Sequence, residues 1–260
     1  MFHAKLNEGL LIKKLIDSIK DLVSDINLEI SAMGISLQAM DSSHVALVTL
    51  NLSSEGFEEY RCDKSMTLGV SITNLAKVLR CGGNDDSLTL SCEDESKLKI
   101  KFENIKSKKS CEFDLSLITI DTEHLGIPDT KYSSLITLSS SEFSKICKEL
   151  YAINETVNIE VDKKFIKFYV NNETIGGGFT LESNDSDDTE LQCKIETDET
   201  VNLAFALRYL NMFTKASSIG QQVNLFLSKE FPLMVQYKLA ELGVLKFYLA
   251  PRISDNEDNK

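Results

Sequence analysis

The sequence predicts an α+β protein built from four strand–helix–three-strand units that pair into two similar domains. Two observations carry this reading. Apolar and polar residues alternate with period two along most of the chain, as half-buried strands require. Four short segments interrupt the alternation with helical spacing, and each is followed by further alternating runs. A third observation bears on function. The helical segments, residues 9–20, 72–80, 141–151 and 207–217, hold nine Lys/Arg against three Asp/Glu. They contribute +6 to a formal net charge of -12, which leaves about -18 on the rest of the chain. Such segregation suggests one face for a polyanion and other faces that repel it.

The first helix candidate is GLLIKKLIDSIKDL, residues 9–22. Leu11, Leu15, Ile19 and Leu22 form one stripe, Ile12 and Ile16 widen it, and Lys13, Lys14 and Lys20 fall towards the other side. Strands follow at 28–30, 35–37 and 45–52. The second unit reads MTLGVSI, the helix TNLAKVLRC, then SLTLSC, KLKIKF and CEFDLSL. The third is SLITLSS, the helix SEFSKICKELY, then TVNIEV, FIKFYV and IGGGFTL. The fourth is TVNLAFA, the helix LRYLNMFTKAS, then QVNLFLS, PLMVQYKL and GVLKFYLA. The domains are then 1–117 and 134–254. A connector at 118–133 with an LGIPDT core carries Asp121, Glu123, Asp129 and a stiffening proline. Residues 255–260 form an acidic tail without apolar side chains and read as disordered.

Composition excludes several classes. Hydrophobic content of 42% with 26% charged residues is that of a globular protein. No run of eighteen apolar residues reads as a membrane span, and Lys13, Lys14 and Asp17 interrupt any signal-peptide core. The six cysteines (Cys62, Cys81, Cys92, Cys111, Cys147 and Cys193) form no CxxC pair and only three histidines accompany them, which disfavours zinc. They read as reduced thiols of a cytosolic or nuclear protein, so the sequons at Asn51, Asn154 and Asn172 carry no glycan. With 12 Gly and 3 Pro the chain is dense in regular structure.

The nine helix cations are Lys13, Lys14, Lys20, Lys77, Arg80, Lys145, Lys148, Arg208 and Lys215. On one helix they would be an ordinary solvated face; on four equivalent helices they form a periodic surface. No aromatic residues interleave them as stacking platforms, and no Asn/Gln/Arg set stands out for base edges. The pattern favours sequence-independent contact with duplex phosphates. MDSSHV at 40–45 offers a serine and a histidine, but no GxSxG turn surrounds them, and an apolar patch of Met40, Val45 and Leu47 reads better than catalysis. Gly176, Gly177 and Gly178 lack the GK[ST] of a phosphate loop and suggest close strand approach or a bulge. The acidic run DSDDTE at 185–190 fits no calcium-loop spacing and reads as a solvated loop.

Five segments in one order give a more specific signal: MDSSHV, SEGFEEYRCD (54–63), LGIP (125–128), FALRYLNMFTKA (205–216) and LAPRI (249–253). Together they resemble the proliferating cell nuclear antigen family, the eukaryotic sliding clamps of DNA replication, over nearly the whole chain. The resemblance implies a DNA-clamp fold assembled as a closed homotrimeric ring in the nucleus, with basic helices lining a channel for double-stranded DNA. It implies a processivity factor and recruitment platform for replication, repair and translesion synthesis, without catalysis, cofactor or metal. A separate ATP-dependent clamp loader would open the ring. DNA polymerases, flap endonuclease and DNA ligase would compete for one pocket through a motif of glutamine, an aliphatic residue and two aromatics. Positions matching that pocket are Met40, His44, Val45, Leu47, Leu125, Ile127, Pro128, Tyr132, Pro232, Tyr248, Ala250 and Pro251, with Phe231 and Ile253 extending its wall.

By the same resemblance, subunits would join where the strand bearing Cys111, Phe113, Leu115 and Leu117 meets that of Gly177, Gly178, Phe179 and Leu181, with Cys81, Lys145 and Leu150 beside it. Lys163, in KKFIKF with Lys164, matches the ubiquitin-acceptor position of the family. The chain departs from the pattern in places. Ala152 stands where many relatives carry a polar or basic residue, Lys replaces Arg at 145 and 148, and the 175–181 strand is glycine-rich. Two alternatives stay open at this level: a subunit of the heterotrimeric checkpoint clamp, against which the intact LGIP and LAPRI argue, and a DNA-processing enzyme with an acidic metal site.

Overall fold

A computed structural model describes residues 1–94, 96–121, 125–126, 130–184 and 186–252. The first unit comprises β1 (Phe2–Leu6), α1 (Leu10–Ile19), β2 (Asp25–Ser31), β3 (Gly34–Met40) and β4 (Ala46–Ser53), followed by β5 (Glu59–Cys62). The second comprises β6 (Met66–Ser71), α2 (Ile72–Leu79), β7 (Ser87–Cys92), β8 (Lys97–Asn104) and β9 (Lys109–Ser116). The third comprises β10 (Ser134–Ser139), α3 (Ser140–Tyr151), β11 (Thr156–Val161), β12 (Phe165–Asn171) and β13 (Gly176–Glu182), followed by β14 (Cys193–Thr197). The fourth comprises β15 (Val201–Ala206), α4 (Leu207–Phe213), β16 (Gln222–Ser228), β17 (Phe231–Lys238) and β18 (Gly243–Leu249).

The strand–helix–three-strand plan therefore holds four times. Sequence reading misses β1, β5 and β14, which are short and lie outside the long alternating runs. It also takes 207–217 as one helix, whereas α4 ends at Phe213 and Thr214–Ser218 continues as a 3-10 turn. The Thr214 hydroxyl donates to the Asn211 carbonyl at 3.0 Å, a local bond that competes with helical geometry.

The chain divides into two compact units. One is Met1–Gly126 with Leu239–Leu245, and the other is Ile127–Lys238 with Lys246–Lys260. In the first, β5-β1-β7-β8-β9 form an antiparallel sheet, and β4-β3-β2-β6 form a second run of neighbours. In the other unit β13-β12-β11-β15 form one sheet, and β14-β10-β16-β17 are neighbours in another. Alternation explains these strands. In β8, Leu98, Ile100 and Phe102 are buried, while Lys97, Lys99 and Lys101 on the other face pair with Asp114 (3.6 Å), Glu112 (3.3 Å) and Glu103 (2.7 Å).

The helices repeat one burial pattern. Ile12, Leu15, Ile16 and Ile19 are buried in α1, Ile72, Leu75, Ala76 and Leu79 in α2, and Phe143, Ile146, Cys147 and Leu150 in α3. Ala206, Tyr209, Leu210 and Phe213 continue the series at α4. Every set has the spacing i, i+3, i+4, i+7 of a single helix stripe. Burying each larger side chain contributes about 1.5–3 kcal/mol. The sequence stripe of α1 shifts accordingly: Leu11 is only half-buried, and Ile12 and Ile16 lie at its centre.

Candidate nucleic-acid and partner interfaces

A common stripe lets the cations of the four helices be compared position by position. Lys14, Lys145 and Arg208 sit two residues after the first stripe residue of their helices, Lys77 and Lys148 five after, and Lys20 and Arg80 eight after. At 3.6 residues per turn, the second and fifth positions point within about 30° of directly away from the stripe, whereas the eighth lies on its flank. Lys77, Arg80, Lys145, Lys148, Arg208 and Lys215 are exposed, while Lys13, Lys14 and Lys20 are half-buried. The reason differs by residue. Lys13 reaches the Gly82 carbonyl at 3.5 Å, and Lys20 is held by Asp17 at 2.6 Å. Asp17 occupies in α1 the position that Lys77 and Lys148 occupy in their helices, so the Asp17–Lys20 pair cancels charge locally. In α4 the same position is Asn211, whose amide donates to the carbonyls of Cys147 (3.1 Å) and Leu207 (3.0 Å) and ties α4 to α3. The Arg208 guanidinium lies 4.9 Å from the Tyr209 ring centroid and donates to its hydroxyl at 3.1 Å.

MDSSHV is a turn organised by one buried carboxylate. Asp41 is 5% exposed and accepts from the backbone N–H of Ser43 (3.1 Å), Val45 (2.8 Å) and Ala46 (2.8 Å). This leaves His44 in the left-handed region at φ 58° and presents His44 and Val45 to solvent. Met40 is half-buried and pairs across the strands with Leu47, so the two share one sheet face, with Leu47 buried beside it. The Ser–His pair thus belongs to an Asp-held turn. Asp41 escaped sequence reading, although Asp followed by two serines is an Asx-turn signal. Gln38 was equally missed. Its side-chain amide donates to the Leu125 carbonyl at 3.0 Å and accepts from the Leu125 N–H at 2.8 Å, clamping a backbone whose side chain stays exposed. Ile127, Pro128 and Ile253 lie outside the described residues.

In the other unit Tyr132 packs edge-on against Phe226 (5.7 Å) and Phe231 (5.9 Å), and its hydroxyl donates to the Pro232 carbonyl at 3.1 Å. Desolvation, with Tyr248 nearby as the lesser cause, raises this hydroxyl to about 12, so it remains a donor at neutral pH. Pro232 and Ala250 are exposed, and Tyr248 and Pro251 are half-buried. Arg252 fastens the following segment, its N–H donating to the Ala204 carbonyl at 2.7 Å and its guanidinium to the Thr156 hydroxyl at 2.6 Å.

The predicted joining strands are both sheet edges. β9 ends the first unit's five-stranded sheet and β13 ends the four-stranded sheet of the other unit. Cys111, Phe113, Leu117, Phe179 and Leu181 are half-buried there, and Gly177 and Gly178 are exposed. A side chain at Gly178 would meet the Phe168 carbonyl oxygen at 2.0 Å, which accounts for one glycine of the three by close strand approach. Cys81 is exposed at the end of α2. Leu115 and Leu150 are core side chains, 8% and 1% exposed, because each continues a buried row of its own unit. Lys163 and Lys164 are exposed in the turn between β11 and β12.

Fourfold repeats in two duplicated units, with cations on the outward side of every helix, define the DNA-clamp class of protein. Two family models match the chain: proliferating cell nuclear antigen, N-terminal domain, over residues 1–124, and proliferating cell nuclear antigen, C-terminal domain, over residues 126–252. The chain belongs to the proliferating cell nuclear antigen family, the non-catalytic sliding clamps that act on DNA as multimers with replication proteins.

Proposed function

We propose that this protein is the processivity clamp of a replicative DNA polymerase and a recruitment platform for replication and repair proteins. It encircles duplex DNA without sequence specificity as a nuclear homotrimer. The observation that carries this reading is the recurrence of exposed cations at equivalent helix positions in an acidic chain of this family. Lys77, Arg80, Lys145, Lys148, Arg208 and Lys215 supply most of the field, with Lys13, Lys14 and Lys20 behind them. Lysines act as mobile point charges, so contacts exchange from phosphate to phosphate without fixing a register. Retention then comes from topology, and the acidic exterior disfavours DNA on the wrong side.

Subunits join through the β9 and β13 edges in head-to-tail fashion, an interface that closes when the rotation fits. Polymerases, clamp loader, flap endonuclease and DNA ligase dock through peptides whose aromatics use Tyr132, Pro232, Tyr248, Ala250 and Pro251, and through Met40, His44, Val45 and Leu125. Lys163 is the proposed ubiquitin acceptor; its exposed turn supports that reading without singling it out from Lys164.

Primer extension on a circular template, with a clamp loader and a polymerase of this family's partner class, tests the reading. The protein is expected to lengthen products, and Tyr248→Ala is expected to abolish the gain while leaving circular dichroism and assembly state unchanged. Product lengths indifferent to the wild-type protein would overturn the clamp assignment. Full stimulation by Tyr248→Ala would overturn the docking surface alone.

A further inference from the structure

The connector that begins at residue 118 is fastened to the strands it crosses, which are the neighbours β6, β2 and β3. Asn27 pairs with Gly69, and Glu29 pairs with both Thr67 and Ser36. By alternation, Gly69, Asn27 and Gln38 therefore share one face, opposite to that of buried Leu28, Leu37 and Leu68. Each of the three holds a different backbone group of the connector. The Gly69 carbonyl accepts from the Ile118 N–H at 2.9 Å, and the Asn27 amide donates to the Ile120 carbonyl at 3.0 Å. Gln38 brackets Leu125 through both its N–H and its carbonyl. Gly69 is buried although Thr67, two residues earlier on the same face, is exposed. Its cover is the connector: a Cβ at Gly69 would meet the Ile118 carbonyl oxygen at 2.0 Å. The connector's own side chains stay accessible, with Ile118 43% and Leu125 39% exposed.

We infer that Gly69, Asn27 and Gln38 are positioning residues for partner docking. They lay the connector across the sheet before a partner arrives, so that Leu125 is presented in one place. The inference rests on the docking surface proposed above, to which Leu125 belongs, and adds residues that act on that surface through the connector backbone. The residue types suit the task. A primary amide carries a donor and an acceptor, so Gln38 serves both Leu125 groups, whereas a carboxylate would serve only the N–H. A glycine lets one backbone lie directly on another.

A loose connector would have to be ordered during binding, and that entropy would be lost from the affinity. Apparent affinity then scales with the fraction of copies whose connector is already in place. Releasing the connector therefore slows association, whereas removing a direct contact to the peptide speeds dissociation.

The test is stopped-flow binding to the full chain of a fluorescent peptide carrying the glutamine, an aliphatic residue and two aromatics, with hydrogen exchange on the peptide-free protein. The wild-type chain is expected to protect the Ile118 and Leu125 amides, and Gln38→Ala to release Leu125. Combined Asn27→Ala and Gln38→Ala is expected to slow association about tenfold with dissociation little changed. Gln38→Glu still accepts from the Leu125 N–H and is expected to recover part of the rate. Gly69→Ala lifts the connector from beneath while both amides remain, and is expected to slow association as well. Unchanged association in the double variant, or a loss carried by dissociation alone, overturns the positioning role and leaves the docking surface standing. A folded wild-type chain that binds no peptide overturns the docking surface and this inference with it. Should Gly69→Ala fail to fold, the double variant, which alters only half-buried polar side chains, decides alone.

Discussion

Asp41→Ala is expected to destabilise the protein by about 2–4 kcal/mol, because hydrogen bonds to charged groups and stranded buried donors each cost about 1–3 kcal/mol. The carboxylate is buried and accepts three backbone N–H groups, from Ser43, Val45 and Ala46. Ala46 is itself buried, so its N–H cannot turn to water when the acceptor is removed. Urea denaturation should show the loss, and hydrogen exchange should show it concentrated at Val45 and Ala46. Asp41→Asn keeps one side-chain oxygen and should lose roughly half as much. Because His44 and Val45 are displayed by this turn, the alanine variant should also bind partner peptides more weakly. Unchanged stability and unchanged exchange at Ala46 would contradict the assignment of Asp41 as the organiser of the turn.

The second large effect concerns DNA. A variant combining Lys77→Ala, Arg80→Ala, Lys145→Ala and Lys148→Ala removes four exposed cations from the outward and flanking positions of two helices. It is expected to weaken duplex binding and to flatten the dependence of log affinity on log salt by about 0.9 for each phosphate no longer neutralised. Lys20→Ala alone should do much less to the slope, since Lys20 already spends its charge on Asp17 at 2.6 Å. A surface pair of this kind contributes only about 0.3–0.5 kcal/mol to stability, so neither variant should unfold the chain. A salt slope identical to wild type for the fourfold variant would contradict the DNA-facing role of these helices.

Period and charge made most of the architecture legible in the sequence. The alternation in KLKIKF and the apolar stripes of the helix segments each report one buried face, and those faces are what the strands and helices bury. Short edge strands such as EYRC were not legible, because four residues give too few alternations to register. The end of α4 escaped for a different reason: a Thr214 hydroxyl bond terminates it, with no glycine or proline to mark the stop.

The site divides along the same line. Cations could be placed on helix faces from spacing alone. Which of them are exposed depends on partners such as Asp17 and Gly82, and these appear only in three dimensions. Asp41 and Gln38 act through backbone groups elsewhere in the fold, so their roles could not be read from their own neighbourhoods.

Whether separate copies of this chain join edge to edge around DNA is tested most directly by the mass of the purified protein in solution. Sedimentation equilibrium is expected to give a single species at three times the 29.1 kDa chain mass. A species that remains at 29.1 kDa at every concentration would contradict the proposed ring and, with it, the proposal that the helices face its channel.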